Sequence, residues 1–195
     1  ALPIFEIMVK RSMTEFSLTD VAKKVGLTKA AIYWYFPNKN ALVDEIARSI
    51  YDTYIGYIEK ISGSPLSSCE KLRRIVLGEE DTIQAALMCV FPIKFYLESY
   101  SESHMVKTLI KNGYEKYNAL ITAVLEEGIR NGEFQTCLPV SELAKFITGA
   151  IDGLAFQNLL VSSEKPEVPR FLLFSVLDCI LTPIHPTPRK EVSND

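Results

Sequence analysis

Apolar residues recur along the chain with helical spacing, and no stretch of strict polar and apolar alternation bounded by hairpin turns appears. Helical recurrence predicts amphipathic helices, whereas alternation would predict strands, so we expect an all-α protein. The clearest stripe of apolar residues at i, i+4 spacing predicts a long helix over residues 39–61, long enough to connect two parts of the molecule. Its members are Leu42, Ile46, Ile50, Tyr54 and Ile58.

Three short helices are predicted before this long one, over residues 4–11, 18–24 and 29–35. Side-chain oxygens at the start of a helix bind its free N–H groups, and an acidic residue at the third helical position can complete a capping box. Glycine ends a helix because it tolerates a positive φ, and proline disfavours a helical residue before it. The predicted caps are Ser17 with Asp20, Thr28 and Asn38, and the predicted stops are Gly26 and Pro37.

The rest of the chain predicts five further helices, with a Ser-Gly-Ser-Pro linker at 62–65 before the first. In two of these helices the apolar residues nearly encircle the axis, and such a helix must be buried on all sides. Two helices of this kind are buried most easily by pairing with the same helices of a second subunit, so we expect a homodimer. The five helices are predicted near 67–79, 81–99, 104–131, 139–162 and 167–182, and the last two carry the dimer interface.

The composition is that of an ordinary globular protein. The 195 residues are 48% hydrophobic and 23% charged, which suits one compact domain or two that share a core. No apolar run reaches the length of a membrane span and no secretory signal opens the chain, so we expect a cytoplasmic protein without a membrane partner. The four cysteines are widely spaced and only two histidines occur, so we expect no metal, no cofactor and no disulfide scaffold.

Charge is unevenly distributed along the chain. Residues 1–40 carry six basic and three acidic side chains, whereas the remainder carries 15 basic and 21 acidic ones. A basic end on an acidic body suggests a face that meets a polyanion such as nucleic acid. Solvated helix faces are the alternative explanation for a difference of this size.

Residues 17–36, SLTDVAKKVGLTKAAIYWYF, have the spacing of a helix-turn-helix. Ala22 leaves room for a close crossing, Gly26 takes the turn, and the second helix can present its first turn to the major groove. With PNKNAL at 37–42, the segment resembles the DNA-binding domain of TetR-family transcriptional repressors, and the cluster IYWYFPNK at 32–39 carries the resemblance. We expect the wedge between the helices to be filled by Leu18, Val21, Val25, Leu27 and Ile32.

The resemblance covers about residues 4–60, and the rest shares only the family's helical layout, with Gly-Glu-Phe at 132–134. It implies a helix-turn-helix DNA-binding domain of three helices over residues 1–40, with its first helix truncated. A helical effector-binding and dimerisation domain would follow over residues 41–195. A fourth helix from about residue 39 would link the two domains.

The chain departs from the family pattern at several positions. Ser12 stands where glycine is usual, Met13 where an aromatic residue is usual, and Ala30 and Ala31 replace Gly-Thr or Gly-Ser. The last change removes a hydroxyl that often holds a phosphate or a base edge. We therefore expect operator affinity to depend more on the neighbouring residues.

The family's functional positions imply DNA-binding roles for ten residues. A lysine donates to guanine acceptors, an alanine packs against a thymine methyl, and a tyrosine stacks or hydrogen-bonds. Other residues hold phosphates, which a helix N-terminus also favours. The groove-edge residues are Ser17 and Thr19, the base-facing ones Lys29, Ala30 and Tyr33, and the phosphate-contacting ones Thr28, Trp34, Tyr35 and Lys39, with Ala31 beside them on the recognition helix.

Some of these residues have a structural alternative. Tyr35 and Phe36 suit the core, because aromatic residues at a helix end usually pack. Trp34 is alternatively a surface packing residue. Lys23 and Lys24 suit a solvated helix face better than a phosphate contact.

The resemblance also implies a ligand cavity in the helical body, and its apolar and aromatic lining suits a hydrophobic small-molecule effector. Asp152 and Gln157 are polar groups in an apolar helix that either bind a polar ligand group, meet across the dimer, or cap backbone groups. The alternative is a plain core stripe without a cavity. The candidate lining residues are Met88, Cys89, Phe91, Phe95, Tyr96, Tyr114, Tyr117, Ile121, Phe146, Asp152, Phe156 and Gln157.

The leading hypothesis is a ligand-responsive repressor that binds a palindromic operator as a homodimer. The rival is a helical carrier or enzyme for an apolar small molecule, but no catalytic motif with convincing spacing occurs. A third possibility is a DNA-binding or protein-interaction module without ligand gating. Salt separates the first two hypotheses, because DNA binding weakens steeply as salt releases counterions and binding of a neutral substrate hardly changes.

Overall fold

The computed structural model describes residues 16–77, 104–161, 175–178 and 181–183. In these ranges the chain is helical apart from turns and two strands of two residues each, so the predicted all-α class is confirmed. Residues 175–178 are also helical. The helices are α1 (Leu18–Val25), α2 (Lys29–Tyr35), α3 (Lys39–Ser62), α4 (Ser68–Leu77), α5 (His104–Arg130) and α6 (Val140–Val161), and the strands are β1 (Phe134–Gln135) and β2 (Thr182–Pro183).

The predicted helix boundaries agree with the structure except at the end of the chain. The helix predicted over residues 167–182 agrees with the structure at 175–178 but overlaps β2 at Thr182. Strand β2 pairs antiparallel with β1, Phe134 opposite Pro183 and Gln135 opposite Thr182. A strand of two residues is too short to show alternation, so the sequence pattern could not reveal this pair. The helices predicted over 4–11 and 81–99 lie outside the described residues.

Side-chain caps define the three N-terminal helices, as the sequence predicts. The Asp20 N–H donates to Ser17 Oγ at 3.2 Å and the Ser17 N–H donates to Asp20 Oδ2 at 2.9 Å, which completes the capping box of α1. Thr28 Oγ1 accepts from the Ala31 N–H at 3.1 Å and starts α2. Asn38 starts α3 in the same way. These caps fix where α1, α2 and α3 begin.

The turn between α1 and α2 is set by Gly26, whose φ of 74° is in the left-handed region. Leu27 follows it and is 42% exposed, so the prediction that Leu27 fills the wedge is wrong. Its N–H bonds back to the Ala22 carbonyl at 2.9 Å, and this reversal leaves the Leu27 side chain outside the helix crossing. Val25 is half-buried rather than part of the core.

The first hydrophobic cluster, called the head core here, packs α1 and α2 against the first half of α3. It also contains Val106 from the start of α5, which is 2% exposed, and Ile110 packs against it. The head core therefore includes side chains from a helix of the body. Its other buried members are Phe16, Leu18, Val21, Ala22, Ile32, Leu42, Val43, Ile46 and Ile50.

The second cluster, called the body core here, joins the second half of α3 to α4, α5 and α6, with Phe134, Leu177 and Leu181. The turn after α5 closes this core. Gly132 has a φ of 69°, and Phe134 beyond it is buried against Gly128, where a Cβ would lie 2.3 Å from Phe134 Cζ.

Glu133, in the same turn, caps α4. Its carboxylate accepts from the Ser68 and Cys69 N–H groups, each at 3.0 Å. Burial alone would raise the pKa of Glu133, but these hydrogen bonds outweigh it and hold the pKa below its usual value. The Gly-Glu-Phe sequence therefore has a structural role at each of its three positions.

One face of α6 remains open. Gly149, Gly153 and Gln157 are exposed and Phe146 is 47% exposed, although the helix is rich in apolar residues. Val176, in the helical residues 175–178, is also exposed. In the single chain α6 is thus not buried on all sides, in contrast to what its apolar composition would require.

Candidate nucleic-acid interface

The helix-turn-helix presents nearly all of α2 to the exterior. Ile32 is the buried residue of α2 and anchors it to the head core. Lys29, Ala30 and Tyr33 are exposed, so the three residues predicted to face base edges lie on the open side of the helix. A short helix held by one buried side chain leaves its outer face free to enter a groove.

Lys29 and Tyr33 contact each other on the exposed side of α2. The Lys29 ammonium lies 5.9 Å from the centroid of the Tyr33 ring, one helical turn away. This contact holds a cationic donor beside an aromatic face with a hydroxyl. The pair can present a hydrogen-bond donor and a stacking surface to the same region of DNA.

The end of α2 carries two exposed aromatic side chains. Trp34 is 79% exposed and Tyr35 is 61% exposed, and their rings meet edge to face at 4.8 Å. The alternative that Tyr35 belongs to the core is wrong, because the last turn of α2 points it outward. Phe36 instead packs against the head core. Trp34 and Tyr35 together form an aromatic surface beside the predicted base-reading residues.

The hydroxyl residues near the helix starts already have structural roles. Ser17 is exposed and its Oγ donates to Asp20 Oδ2 at 2.7 Å. Thr19 is half-buried, while Thr28 is exposed and its Oγ1 accepts the Ala31 N–H. Because that bond uses only the acceptor side of the Thr28 hydroxyl, its proton can still be donated to a phosphate oxygen. Ser17 and Thr28 thus combine capping with an exposed position.

Lys39 lies at the first position of α3. Its ammonium sits 4.4 Å from the centroid of the buried Phe16 ring, so its side chain is directed across the start of α1. The free N–H groups at the start of α3 also favour an anion at this end of the helix. Lys39 is therefore a half-buried cation at the start of α3, beside the Phe16 ring.

In the body, the structure brings two of the candidate ligand-binding residues together. Tyr114 of α5 donates a hydrogen bond to Asp152 of α6, and both side chains are half-buried. Burial raises the pKa of Asp152 to about 6, against the lowering effect of this hydrogen bond. The carboxyl group is thus placed where its charge is costly.

A second polar contact one helical turn away was not predicted from the sequence. Thr148 Oγ1 donates to Asn118 Oδ1 at 2.7 Å, and Thr148 is 3% exposed. Asn118 follows Tyr114 by four residues and Thr148 precedes Asp152 by four, so the two antiparallel helices are joined by a polar ladder of two contacts. Polar residues at i, i+4 spacing on otherwise apolar helices were the signal that could have revealed it.

The other candidate lining residues are dispersed. Tyr117 and Ile121 are part of the body core, and Tyr117 meets Tyr54 edge to face at 5.2 Å. Phe156 is half-buried, whereas Phe146 and Gln157 lie on the open face of α6. Five candidates fall outside the described residues: Met88, Cys89, Phe91, Phe95 and Tyr96.

The described residues contain no group of three or more histidine, cysteine, aspartate or glutamate side chains that could hold a metal ion. None of their helices is long and apolar enough to cross a membrane. Cys69 and Cys137, the cysteines in this part of the chain, are free and exposed.

The fold and the exposed second helix define a DNA-binding protein of the helix-turn-helix class. Residues 4–46 match the family described as bacterial regulatory proteins, tetR family, and residues 77–169 match the tetracyclin repressor-like C-terminal domain. The chain belongs to the TetR family of transcriptional regulators, whose members are regulators and not enzymes. The rival enzyme hypothesis is therefore set aside.

Relatives and solved structures agree with this assignment. The HTH-type transcriptional repressor KstR2 of Rhodococcus jostii is 25% identical over 145 residues, which cover 72% of this chain and 69% of that protein. A regulator structure from Saccharomonospora viridis in complex with choline has a TM-score of 0.76 at 19% identity, covering 92% of this chain and 94% of the other. FadR of Bacillus subtilis in complex with stearoyl-CoA has a TM-score of 0.67 at 21% identity, covering 94% and 96%. At these identities the structures show a shared fold.

Proposed function

We propose that this protein is a repressor that binds a palindromic operator as a homodimer and is released by a hydrophobic small molecule. The observation that carries the proposal is the open face of α2, on which Lys29, Ala30 and Tyr33 are exposed beside Trp34. Residues 1–40 form the DNA-binding domain and residues 41–195 the effector-binding and dimerisation domain. Such a regulator acts in the cytoplasm, where a bacterial chromosome lies.

The open face of α6 supports the homodimer. Phe146 on α6 and Val176 in the helical residues 175–178 are large apolar side chains exposed in the single chain, and exposed apolar surface often marks an interface. Gly149 and Gly153 leave open space beside Phe146, which allows close approach of a second helix. A twofold dimer would place two copies of α2 for successive major grooves, about 34–36 Å apart.

The body core supports the effector. The Tyr114–Asp152 contact lies within an otherwise apolar body. Ligand sites usually combine a mostly apolar lining with a few polar groups of this kind. The related fold holds choline in one structure and stearoyl-CoA in another. Stearoyl-CoA carries a long acyl chain, and this chemistry is compatible with a hydrophobic effector for this protein.

Selection from a pool of random duplexes at two salt concentrations tests the proposal. We expect the bound fraction to be enriched in a palindrome, and we expect its affinity to fall steeply as salt rises. Because Trp34 is the single tryptophan and lies on α2, its fluorescence should report operator binding directly. Binding without sequence enrichment, or binding that is unchanged by salt, would contradict the proposal.

Release is tested by adding compounds to the complex with the selected palindrome. Stearoyl-CoA is the first probe and choline, a small cation, is the comparison. A hydrophobic effector site predicts that the acyl compound dissociates the complex and raises the unfolding temperature, whereas choline does neither. Release by choline alone would reverse the proposed ligand class.

A further inference from the structure

Helix α5 contacts the head core as well as the body core. Val106 is buried in the head core and Ile110 packs against it, one turn further along the helix. Before them, the Arg48 guanidinium of α3 donates to Met105 Sδ at 3.3 Å. The start of α5 is therefore built into the DNA-binding head, which the sequence prediction had connected to the body through α3 alone.

In its middle, α5 packs closely against α3 at a glycine. A Cβ at Gly113 would lie 3.3 Å from Tyr51 Cε2, tighter than an ordinary van der Waals contact. One turn further, the Lys116 ammonium meets the Glu59 carboxylate at 2.5 Å. Gly113 thus sets how near the two helices approach between the head core and the body core.

Helix α5 is also joined to α6, by the polar ladder. Tyr114 contacts Asp152 and Asn118 contacts Thr148. The two α5 residues of the ladder, Tyr114 and Asn118, follow Gly113 by one and five positions. Val106 and Ile110 lie on the same helix as Tyr114 and Asn118, so we expect a displacement of α5 at the ladder to be transmitted to the head core. The candidate ligand site and the head core are therefore on the same helix.

We propose that α5 positions the DNA-binding head: Val106 and Ile110 complete the head core, and the Gly113–Tyr51 contact fixes the spacing between α5 and α3 on which head orientation depends. The proposal rests on the proposed function and names the element that regulates it. A packed contact of this kind has discrete arrangements rather than continuous ones, so a small displacement changes the orientation of the head.

The test compares Gly113→Val with Gly56→Val. Gly56 of α3 has no atom within 4 Å of its would-be Cβ, so the control adds the same side chain to a helix at a position that is open around the Cβ. Each variant is titrated with the selected palindrome and with a duplex containing a single half-site. A half-site needs one head, whereas the palindrome needs two heads in register.

We expect Gly113→Val to weaken palindrome binding about tenfold, equivalent to about 1.4 kcal/mol, while half-site binding stays near wild type. Gly56→Val should leave both affinities unchanged. Equal loss on both duplexes, or no loss on either, would overturn the proposal. If the wild-type chain selects no palindrome, the proposed function fails. If wild type selects a palindrome but Gly113→Val shows no selective loss, only the proposal about α5 fails.

A second pair of variants covers the case in which Gly113→Val does not fold. Gly113→Ala needs Tyr51 to move only a few tenths of an ångström, so the same selective loss should appear at smaller size. Adding Tyr51→Ala to either variant removes the ring that the new side chain meets, and palindrome binding should recover. Failure of this double variant to recover while it remains folded also overturns the proposal.

Discussion

Lys29 and Lys39 have different surroundings, although both are predicted to bind DNA. Lys29 is exposed on α2 and its ammonium lies near the Tyr33 ring. Lys39 is half-buried at the start of α3, with its ammonium over the Phe16 ring. A base-facing lysine contributes to sequence preference, whereas a phosphate-facing one contributes equally on any sequence.

Replacing these lysines should therefore have different effects. Lys29→Ala should relax preference at one base position and cost about 1–3 kcal/mol on the selected palindrome, while Lys39→Ala should weaken all duplexes alike and reduce the salt slope by about 1. Competition titrations with single-position variants of the palindrome measure both. Lys60→Ala, at the far end of α3, is the control and should bind as wild type. The assignment fails if both lysine variants lose affinity uniformly.

The raised pKa of Asp152 predicts that the free energy of unfolding depends on pH. Its folded pKa of about 6 lies above the value of about 3.9 in an unfolded chain, so its contribution is fully present below about pH 4 and is lost as pH rises through 6. Asp152→Asn should therefore be more stable than wild type by about 1–2 kcal/mol at pH 8, allowing for partial exposure, and equally stable near pH 4.

Urea unfolding at several pH values measures this difference. Asp52→Asn, at an exposed carboxylate of α3, is the matched control and should show no such trend. A stability difference between Asp152→Asn and wild type that does not change with pH would contradict the assigned burial of the carboxyl group.

The roles of some residues could be predicted from their neighbours in sequence, whereas the burial of others could not. Ser17, Asp20 and Gly26 act through neighbours within a few residues, so spacing alone identified the capping box and the turn. Leu27 and Tyr35 have apolar or aromatic side chains whose direction depends on how α1 and α2 cross, which no local pattern encodes. Their exposure therefore emerged only from the structure.

At the scale of elements, the turn after α5 depends on Gly128 having no side chain. A Cβ at Gly128 would lie 2.5 Å from Phe134 Cε1 and 2.9 Å from Ser68 Cβ, so no substituent fits without moving the turn that caps α4. We expect Gly128→Ala to destabilise the protein by about 1–3 kcal/mol through overpacking, despite the better helix propensity of alanine.

The matched variant is Gly56→Ala, which meets no atom within 4 Å and should stabilise the protein by about 0.5–1 kcal/mol. Chemical unfolding of both variants gives the comparison. Gly128→Ala with wild-type stability would mean that Phe134 can leave its site at little cost.

Helix boundaries were predictable, but the partners of the helices were not. The apolar stripe of α3 and its caps gave its bounds to within one residue, Lys39–Ser62 against 39–61. The pairing of β1 with β2 and the ladder between α5 and α6 join residues tens of positions apart, so local periodicity carries no information about them. The same limit hid the contribution of Val106 to the head core.

At the scale of the whole molecule, the proposed dimer depends on the open face of α6. Phe146→Glu would place a charge on that face, and an unpaired buried charge is costly. We expect this variant to be monomeric and to lose about 100-fold in palindrome affinity, because the second head no longer binds at high effective concentration.

Light scattering after size-exclusion chromatography measures the oligomeric state. Leu138→Glu adds the same charge at a leucine of similar exposure in the loop before α6 and should leave the assembly intact. A Phe146→Glu variant that keeps the mass of the wild-type assembly would place the interface elsewhere.

The burial of Val106 in the head core also bears on how the molecule unfolds. A helix-turn-helix cut out after Ser62 would lose the side chain that covers its core, so the excised segment should not form a stable unit. In the intact chain, opening of either the α1–α2 region or the start of α5 exposes the other. We therefore expect the amide hydrogens of α1 and α2 to exchange as fast as those at the start of α5. Head and body would then form one cooperative unit, in which loosening the body also lowers the population of folded DNA-reading helices.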